Sequence, residues 1–551
     1  VSGRRALLAG GLVAGGAAVL TLTLWPDGNG TGSPAGRDGT DSPPPATSPA
    51  TASPPEAPPT RTADGAPTDE PSPSTYPLSK APSTIPSVRE HQAARGPGWR
   101  PADGGRVVVA KADARHLADE GRLLAGELRL TYREGAKARA GDVELALASG
   151  QADSEAYTLT VRERRVRISG TGEAGVFYGT RTLKQAIRAD GAAPEGVIRD
   201  RPAKPQRGFM LDTARKHFTA GWIESRVREL ADLKYNQLGL HFSDDQAFRI
   251  ESSSHPEVVS AQRLTKAEVR RIVRLAARLH ITVIPEIDSP GHLGAVLKAH
   301  PDLQLRDVNG RPARGAIDIS KPGAARVIDD LLNEYAELFP GSYWHLGADE
   351  YLALTARDPE ASYPQLARLA RERYGPAARV RDLATGWLND RADVVRSHDK
   401  RPKAWNDGFY RGGTVEAAAD IEVEYWTGKE LGAREPVEYL SAGRDVVNLN
   451  DEYLYYVLGE PNEFRYPTGR RIYQEWTPLV LRGSQPVPAV YDDQILGARL
   501  AVWCDLADAQ TPAQVAAGVR LPLRALAQKV WDPREPSKPW PEFVRLAGKL
   551  T

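Results

Sequence analysis

The chain is 551 residues long and carries 72 lysines and arginines against 71 aspartates and glutamates, a formal charge of +1. That length accommodates two or three domains with ample core, and the balanced charge argues against nucleic acid or anionic lipid as the main partner. A single cysteine, Cys504, excludes an intramolecular disulfide framework and any cysteine-based metal cluster.

Arg4-Arg5 is followed by an uncharged run from Ala6 to Trp25, rich in Leu, Ala, Val and Gly. Residues 1–25 read as an export signal, of twin-arginine or ordinary type. A run of roughly 20 apolar residues also suffices as an uncleaved anchor giving N-terminal membrane association. Either way the protein is expected to be secreted or otherwise extracytoplasmic. Residues 26–97 are dominated by Pro, Ser, Thr, Ala and Gly with few aromatics, too little apolar surface to offset the entropy of ordering. They are expected to form a flexible spacer.

Residues 98–202 change character. Short alternating runs predict strands at Arg106–Ala110, Leu128–Tyr132, Asp142–Leu147, Ala156–Val161 and Arg165–Ser169, followed by a helix from Ala174 to Ile187. This is a small α+β accessory domain without a catalytic constellation.

From 203 to 551 apolar strands alternate with helices, the pattern of a parallel sheet wrapped by helices. Strands are expected at Gly208–Leu211, Gln237–His241, Thr282–Pro285, Tyr343–Leu346, Lys403–Trp405, Ile421–Tyr425, Asp445–Leu449 and Leu496–Val502. Eight of them imply a closed (β/α)8 TIM barrel, so the fold class is α/β with a preceding α+β domain. Ile223, Val227 and Leu230 share one helical face, and Thr265 to Glu268 spells a capping box.

In such a barrel the C-terminal strand ends converge on one mouth. Arg207 with Asp212, Asp244 with Asp245, Glu286 with Asp288, and Asp349 with Glu350 are read as standing there. Trp405, Trp426, Tyr453 and Trp503 follow at later strand ends. Aromatic faces beside carboxylates suit a sugar, whose C–H faces pack on indole while its hydroxyls bond to acids.

With these motifs the chain resembles glycoside hydrolase family 20, the β-N-acetylhexosaminidases. The matching stretches are RGFMLDTARKHF at Arg207, LHFSDDQAFRIE at Leu240, IPEIDSPGH at Ile284, HLGADE at His345, AWND at Ala404, EYW at Glu424, EYLY at Glu452 and AVWCD at Ala501. The resemblance implies an oligosaccharide or glycoconjugate substrate, no cofactor and no metal. It implies that Glu350 protonates the leaving oxygen and then activates water, while Asp349 orients the 2-acetamido group, whose carbonyl attacks the anomeric carbon. Tyr453 would hydrogen-bond that carbonyl, and Trp405, Trp426 and Trp503 would enclose the acetamido methyl. Arg207 would grip sugar hydroxyls, a structural ion pair being its other reading. Asp244 and His292 would support Glu350, with a buried structural histidine as the alternative for His292.

Two departures bear on specificity. Relatives that remove single terminal sugars commonly carry Tyr-Leu-Asp where this chain has Tyr453-Leu454-Tyr455, and Trp-x-Glu where it has Trp503-Cys504-Asp505. Those acids bind the O6 and O4 hydroxyls of the terminal sugar. The pattern is similar to that of lacto-N-biosidases, which release a Gal-GlcNAc disaccharide. A non-catalytic glycan-binding barrel and an ordinary two-carboxylate glycosidase are further alternatives.

Overall fold

The computed structural model describes residues 75–149, 154–429 and 433–551. The expected signal and most of the expected spacer therefore lie outside the described residues. Among the described residues no helix is long and apolar enough to cross a membrane.

The accessory domain is one seven-stranded sheet carrying two helices. Its elements are β1 (Glu90–Ala93), β2 (Arg106–Val109), α1 (Ala114–Leu128), β3 (Thr131–Glu134), β4 (Val143–Leu147), β5 (Tyr157–Arg162), β6 (Arg165–Gly170), α2 (Glu173–Asp190) and β7 (Gly196–Asp200). The sheet order is β1-β7-β5-β6-β4-β2-β3. Two expectations need correction. The expected spacer does not reach residue 97, because β1 pairs antiparallel with β7 and Ile85 is fully buried. The strand expected at Leu128–Tyr132 is the end of an unanticipated helix, α1, followed by β3. That helix buries Leu117, Gly121, Leu124 and Ala125 at helical spacing, and Arg129 ends it in the left-handed conformation (φ 57°).

The barrel strands are β8 (Gln206–Asp212), β9 (Gln237–His241), β10 (Thr282–Glu286), β11 (Tyr343–His345), β12 (Arg401–Trp405), β13 (Glu422–Tyr425), β14 (Val446–Asn448) and β15 (Ile495–Trp503). Every neighbouring pair is parallel, and β15 pairs with both β14 and β8, which closes the ring. The helices α3 (Ala220–Asp232), α4 (Lys266–Arg278), α5 (Pro322–Ala336), α6 (Val380–Arg396) and α7 (Arg520–Trp531) belong to this part of the chain. In α3, Ile223, Val227 and Leu230 are fully buried, each contributing about 1.5–3 kcal/mol relative to exposure. At the start of α4 the Thr265 and Glu268 capping box forms as read.

The barrel interior is unusually polar. Arg499 is 2% exposed, donates to Gln237 and pairs ionically with Glu424, each at 2.9 Å, and Lys403 joins Glu422 and Gln206. Glycines make the room: a Cβ at Gly208 would lie 2.7 Å from the Arg499 side chain, closer than atoms pack.

Candidate active site

Register assembles the mouth. Asp212 stands opposite His241, His241 opposite Glu286, and Glu286 opposite His345, so four strand-end side chains form one layer. Glu286 lies 3.2 Å from His241 Nδ1 and 3.3 Å from His345 Nδ1, and accepts the Trp405 indole N–H at 2.8 Å. Burial opposes its charge, but the two histidines outweigh it and hold the carboxyl well below the usual range. Trp405 is thereby fixed in orientation.

Immediately beyond β11 the chain turns through three left-handed residues, Gly347 (φ 71°), Ala348 (φ 76°) and Glu350 (φ 44°). Such backbone is costly for residues with a side chain and persists where surroundings impose it. Here Asp288 Oδ1 accepts the Ala348 N–H at 3.0 Å and Asp407 Oδ2 accepts the Glu350 N–H at 3.1 Å. A Cβ at Gly347 would stand 1.6 Å from Asp288 Oδ1, so only glycine fits. The turn points the Glu350 carboxyl outward, its side chain 44% exposed, while the Asp349 side chain is 12% exposed.

His292 links the acids. Its Nε2 lies 3.4 Å from both Asp349 Oδ2 and Glu350 Oε2, and its Nδ1 lies 3.5 Å from Asp244 Oδ2. Asp244 is also contacted by His241 at 3.0 Å and Arg215 at 2.7 Å. Burial alone would lower the imidazole's proton affinity, yet Asp244 and Asp349 raise it well above the ordinary value. Asp244 is held well down against its own burial by Arg215 and His292. Asp288, fully buried beside Asp349, goes the other way: burial, then the Asp349 charge, push it well up, so it retains a proton. Burial would raise Asp349 too, but His292 and the bond from Asp288 hold it down and ionised. Adjacent carboxyls thus divide into one proton holder and one anion. Asp288, His292 and Asp349 bring ligand-type atoms within 4.8 Å of one another, a spacing that serves this proton sharing.

The aromatic enclosure is Trp405, Trp503, Trp426 and Tyr455. Trp405 and Trp503 centroids are 5.8 Å apart, Tyr455 is 5.9 Å from Trp503, and Tyr455 stacks on Trp426 at 5.6 Å and 1°. The Trp426 N–H bonds Asp407 at 2.9 Å, and burial followed by the Asp349 charge raises Asp407 well above the carboxylate range. Asp505, exposed, lies two residues beyond Trp503, with Arg215 as a cationic neighbour.

Two site expectations are corrected. Arg207 is the second residue of β8, at the opposite end of the barrel from the mouth, where it is 1% exposed. It makes a two-pronged pair with Glu155 at 2.8 and 2.9 Å and bonds Tyr178. The motif's other arginine, Arg215, three residues past Asp212, is the one at the mouth: it pairs with Asp212 at 3.0 Å and lies over Trp503 at 5.3 Å. Tyr453 likewise does not join the enclosure. Its ring lies under the Arg471 guanidinium at 4.1 Å and packs in the main core. A short helical turn, Asp451–Leu454, precedes the strand Tyr455–Val457, and that strand's pairing with β15 turns Tyr455 to the tryptophans. Burial and the Asp349 charge hold the Tyr455 phenol protonated, as a donor.

Sequence reasoning thus missed Arg215 and Asp407, and it placed Tyr455 at the mouth only as standing where relatives carry the O6-binding acid. Each lay inside a quoted motif, and counting from the strand end would have found Arg215.

Fold and site together define a (β/α)8-barrel protein whose C-terminal mouth holds paired acids beside an aromatic enclosure, a layout suited to carbohydrate. The chain belongs to glycosyl hydrolase family 20: the family's catalytic-domain model matches residues 205–534 and its domain 2 model matches residues 81–201. It is 30% identical over 461 residues to a lacto-N-biosidase of Bifidobacterium bifidum, covering 82% of this chain and 40% of that protein. It is 28% identical over 398 residues to a β-hexosaminidase of Vibrio furnissii, covering 65% of this chain and 62% of that one. The chain thus spans about half the length of the curated relatives it matches. In fold it is similar to the family 20 β-N-acetylhexosaminidase of Streptomyces coelicolor A3(2), with a TM-score of 0.67 and 23% identity, covering 86% of this chain and 96% of that one.

Proposed function

We propose that the chain is a retaining glycoside hydrolase that releases β-linked N-acetylhexosamine through participation of the substrate's own 2-acetamido group. The observation that carries this reading is the adjacency of ionised Asp349, outward Glu350 and the Trp405, Trp503, Tyr455 enclosure. Two adjacent acids on one turn suit a scheme in which the second nucleophile comes from the substrate. Glu350, 3.4 Å from His292, donates a proton to the leaving oxygen and later takes one from water. Asp349 accepts the acetamido N–H and balances the positive charge that forms on it. Tyr455 donates to the acetamido carbonyl, and the indoles hold the methyl, so that attack is effectively intramolecular. Arg215 offers sugar hydroxyls a donor, and the buried Asp244, bonded to His241 and paired with Arg215, holds His292 beside the acids.

The test is a pair of aryl β-glycosides differing only at C2. The N-acetylglucosaminide is expected to be hydrolysed at least 10³-fold faster than the glucoside, since acetamido participation is worth several orders of magnitude. Comparable rates would support a two-carboxylate glycosidase instead, and inertness toward both an aryl and a natural N-acetylhexosaminide would support a glycan-binding barrel.

A second reading, release of a Gal-GlcNAc disaccharide, is favoured by one feature. Among the described residues, the strand Tyr455–Val457 presents no carboxylate to the enclosure, Val457 standing opposite Trp503, and Asp505 is one methylene shorter than glutamate. The side of the sugar that would meet an O6 acid is therefore faced by Tyr455 and Val457, with Phe464 stacked on Tyr455. Faster cleavage of an aryl lacto-N-bioside than of an aryl N-acetylglucosaminide would establish it. The Arg4-Arg5 pair and the apolar run to Trp25 support action outside the cytoplasmic membrane.

A further inference from the structure

A cluster apart from the catalytic groups brings His255, Glu257 and His300 together. The short helical turn Pro256–Val258 presents Glu257, and His300 closes the helix Gly294–Ala299. Glu257 Oε1 lies 2.9 Å from His255 Nδ1 and 2.9 Å from His300 Nε2, and all three ligand-type atoms lie within 4.8 Å of one another. In a tetrahedral zinc site, with bonds of about 2.0–2.2 Å, ligand atoms stand roughly 3.4 Å apart, so Glu257 Oε1 has to draw back from each nitrogen by about 0.5 Å to admit the ion. Both nitrogens face the same oxygen, Glu257 Oε1, so the three atoms converge on one another.

The other nitrogen of His255 supplies the second contact that a ligating histidine needs. His255 Nε2 lies 3.3 Å from Asp330 Oδ2, so this ring has a carboxylate at each nitrogen. A neutral imidazole has one N–H and serves only one of them. A second proton, or a metal cation on the Nδ1 lone pair, lets the ring serve both; with the metal, Nε2 carries the proton and donates it to Asp330. That is the carboxylate, histidine, metal relay that fixes ligating histidines. The loop is also held in place. Glu334 on α5 accepts the Ser253 N–H at 2.6 Å, the Ser254 N–H at 2.9 Å and the Ser252 hydroxyl at 2.7 Å, and Ser252 Oγ accepts the His255 N–H at 3.0 Å. Glu257 is exposed and the histidines partly so, which leaves a coordination position for water.

We propose that His255, Glu257 and His300 form a binding site for a divalent transition-metal cation of the zinc type, with Asp330 orienting His255. Two imidazoles select against magnesium and calcium, which prefer all-oxygen shells. The bound ion ties the turn after β9 to the helix that follows His292, a stabilising rather than a catalytic role.

The test uses the full chain, freed of metal with EDTA and titrated with zinc chloride by calorimetry at pH 7.5, with unfolding followed with and without zinc. The expected result is one site of micromolar or tighter affinity and a zinc-dependent rise in Tm. Glu257→Gln and His300→Ala should each weaken binding at least 10-fold, Asp330→Asn about 10-fold, and pH 5.5 should weaken it further because protons compete for the imidazoles. Glu257→Gln is nearly isosteric, so it remains informative even where His300→Ala unfolds. His292→Ala removes the other histidine-containing cluster and should leave this affinity within twofold. Absence of zinc binding, equal binding by wild type and Glu257→Gln, or loss of binding in His292→Ala would overturn the proposal.

Discussion

The two ends of the barrel are both crowded with charge, and they treat it oppositely. At the base Arg207 meets Glu155, and the fully buried Lys234 pairs with Asp200 at 3.1 Å. Aromatic faces complete that layer, with Trp531 5.3 Å from the Arg207 guanidinium and 4.3 Å from Lys234 Nζ. Cations and anions there match in number, and the pairs bolt the accessory domain to the barrel. At the mouth acids outnumber cations, so protons make up the difference: Asp288 and Asp407 are pushed up while Asp349 and Asp244 stay ionised. Matched charge marks packing, whereas surplus acid divided between protonated and ionised forms marks chemistry.

The largest effect that sharpens this contrast belongs to Glu350. Glu350→Gln should lose roughly 10² to 10⁴ in rate on glycosides with poor leaving groups, and far less on activated aryl glycosides, while Tm stays within a degree or two. Equal loss on both substrate types would remove Glu350 from the acid role. At the base the signs reverse. Arg207→Met removes the cation opposite Glu155, which keeps its bonds from Tyr178 and Asn236, and should cost about 3–5 kcal/mol of stability, read from urea unfolding, with kcat of the folded enzyme within about twofold. A fall in kcat at unchanged stability would return Arg207 to the site.

The barrel's order of strands was legible because its runs are apolar and regularly spaced, and all eight expected strands correspond to observed ones. Side-chain direction was not. Arg207 and Arg215 share a motif, but seven residues of extended β8 put them at opposite ends of the barrel, and only counting along the strand separates them. Tyr453 and Tyr455 look interchangeable in EYLY because the turn Asp451–Leu454 that rotates one away is set by Asn450, whose side chain accepts the Glu452 N–H at 3.0 Å. Asp288 and Asp349 are 61 residues apart in number, so a shared proton between them depends on the pairing of β10 with β11 and leaves no local signal. Helix α1 is hard to read because Gly121 and the charged Glu120 stand on its buried face.

Within the mouth, Tyr455→Phe should lower kcat roughly 10²-fold, the loss that follows removal of one donor to a developing charge, while Tyr453→Phe changes it less than threefold. The reverse order, in steady-state kinetics on one aryl N-acetylglucosaminide, would restore Tyr453 to the carbonyl. The smallest expected effect is a pH dependence. The folded protein holds a proton on Asp288 that the unfolded chain releases above about pH 3.9, so this group's contribution to stability falls as pH rises toward its folded value. Asp288→Asn carries no such proton, and its Tm relative to wild type should therefore climb from pH 5 to pH 8. A difference independent of pH would mean that Asp288 is ionised.

The central claim is that the substrate supplies its own nucleophile in the pocket of Trp405, Trp503 and Tyr455, and fluorination of the acetamido methyl tests it most directly. Each fluorine withdraws electrons from the carbonyl oxygen and weakens its attack without altering the leaving group. Measuring kcat/KM for aryl glycosides bearing N-acetyl, N-fluoroacetyl, N-difluoroacetyl and N-trifluoroacetyl groups should give a steep fall along the series, roughly tenfold or more per fluorine, the size expected when the acetamido group supplies the intramolecular attack. A flat series would contradict it and assign the nucleophile to the protein.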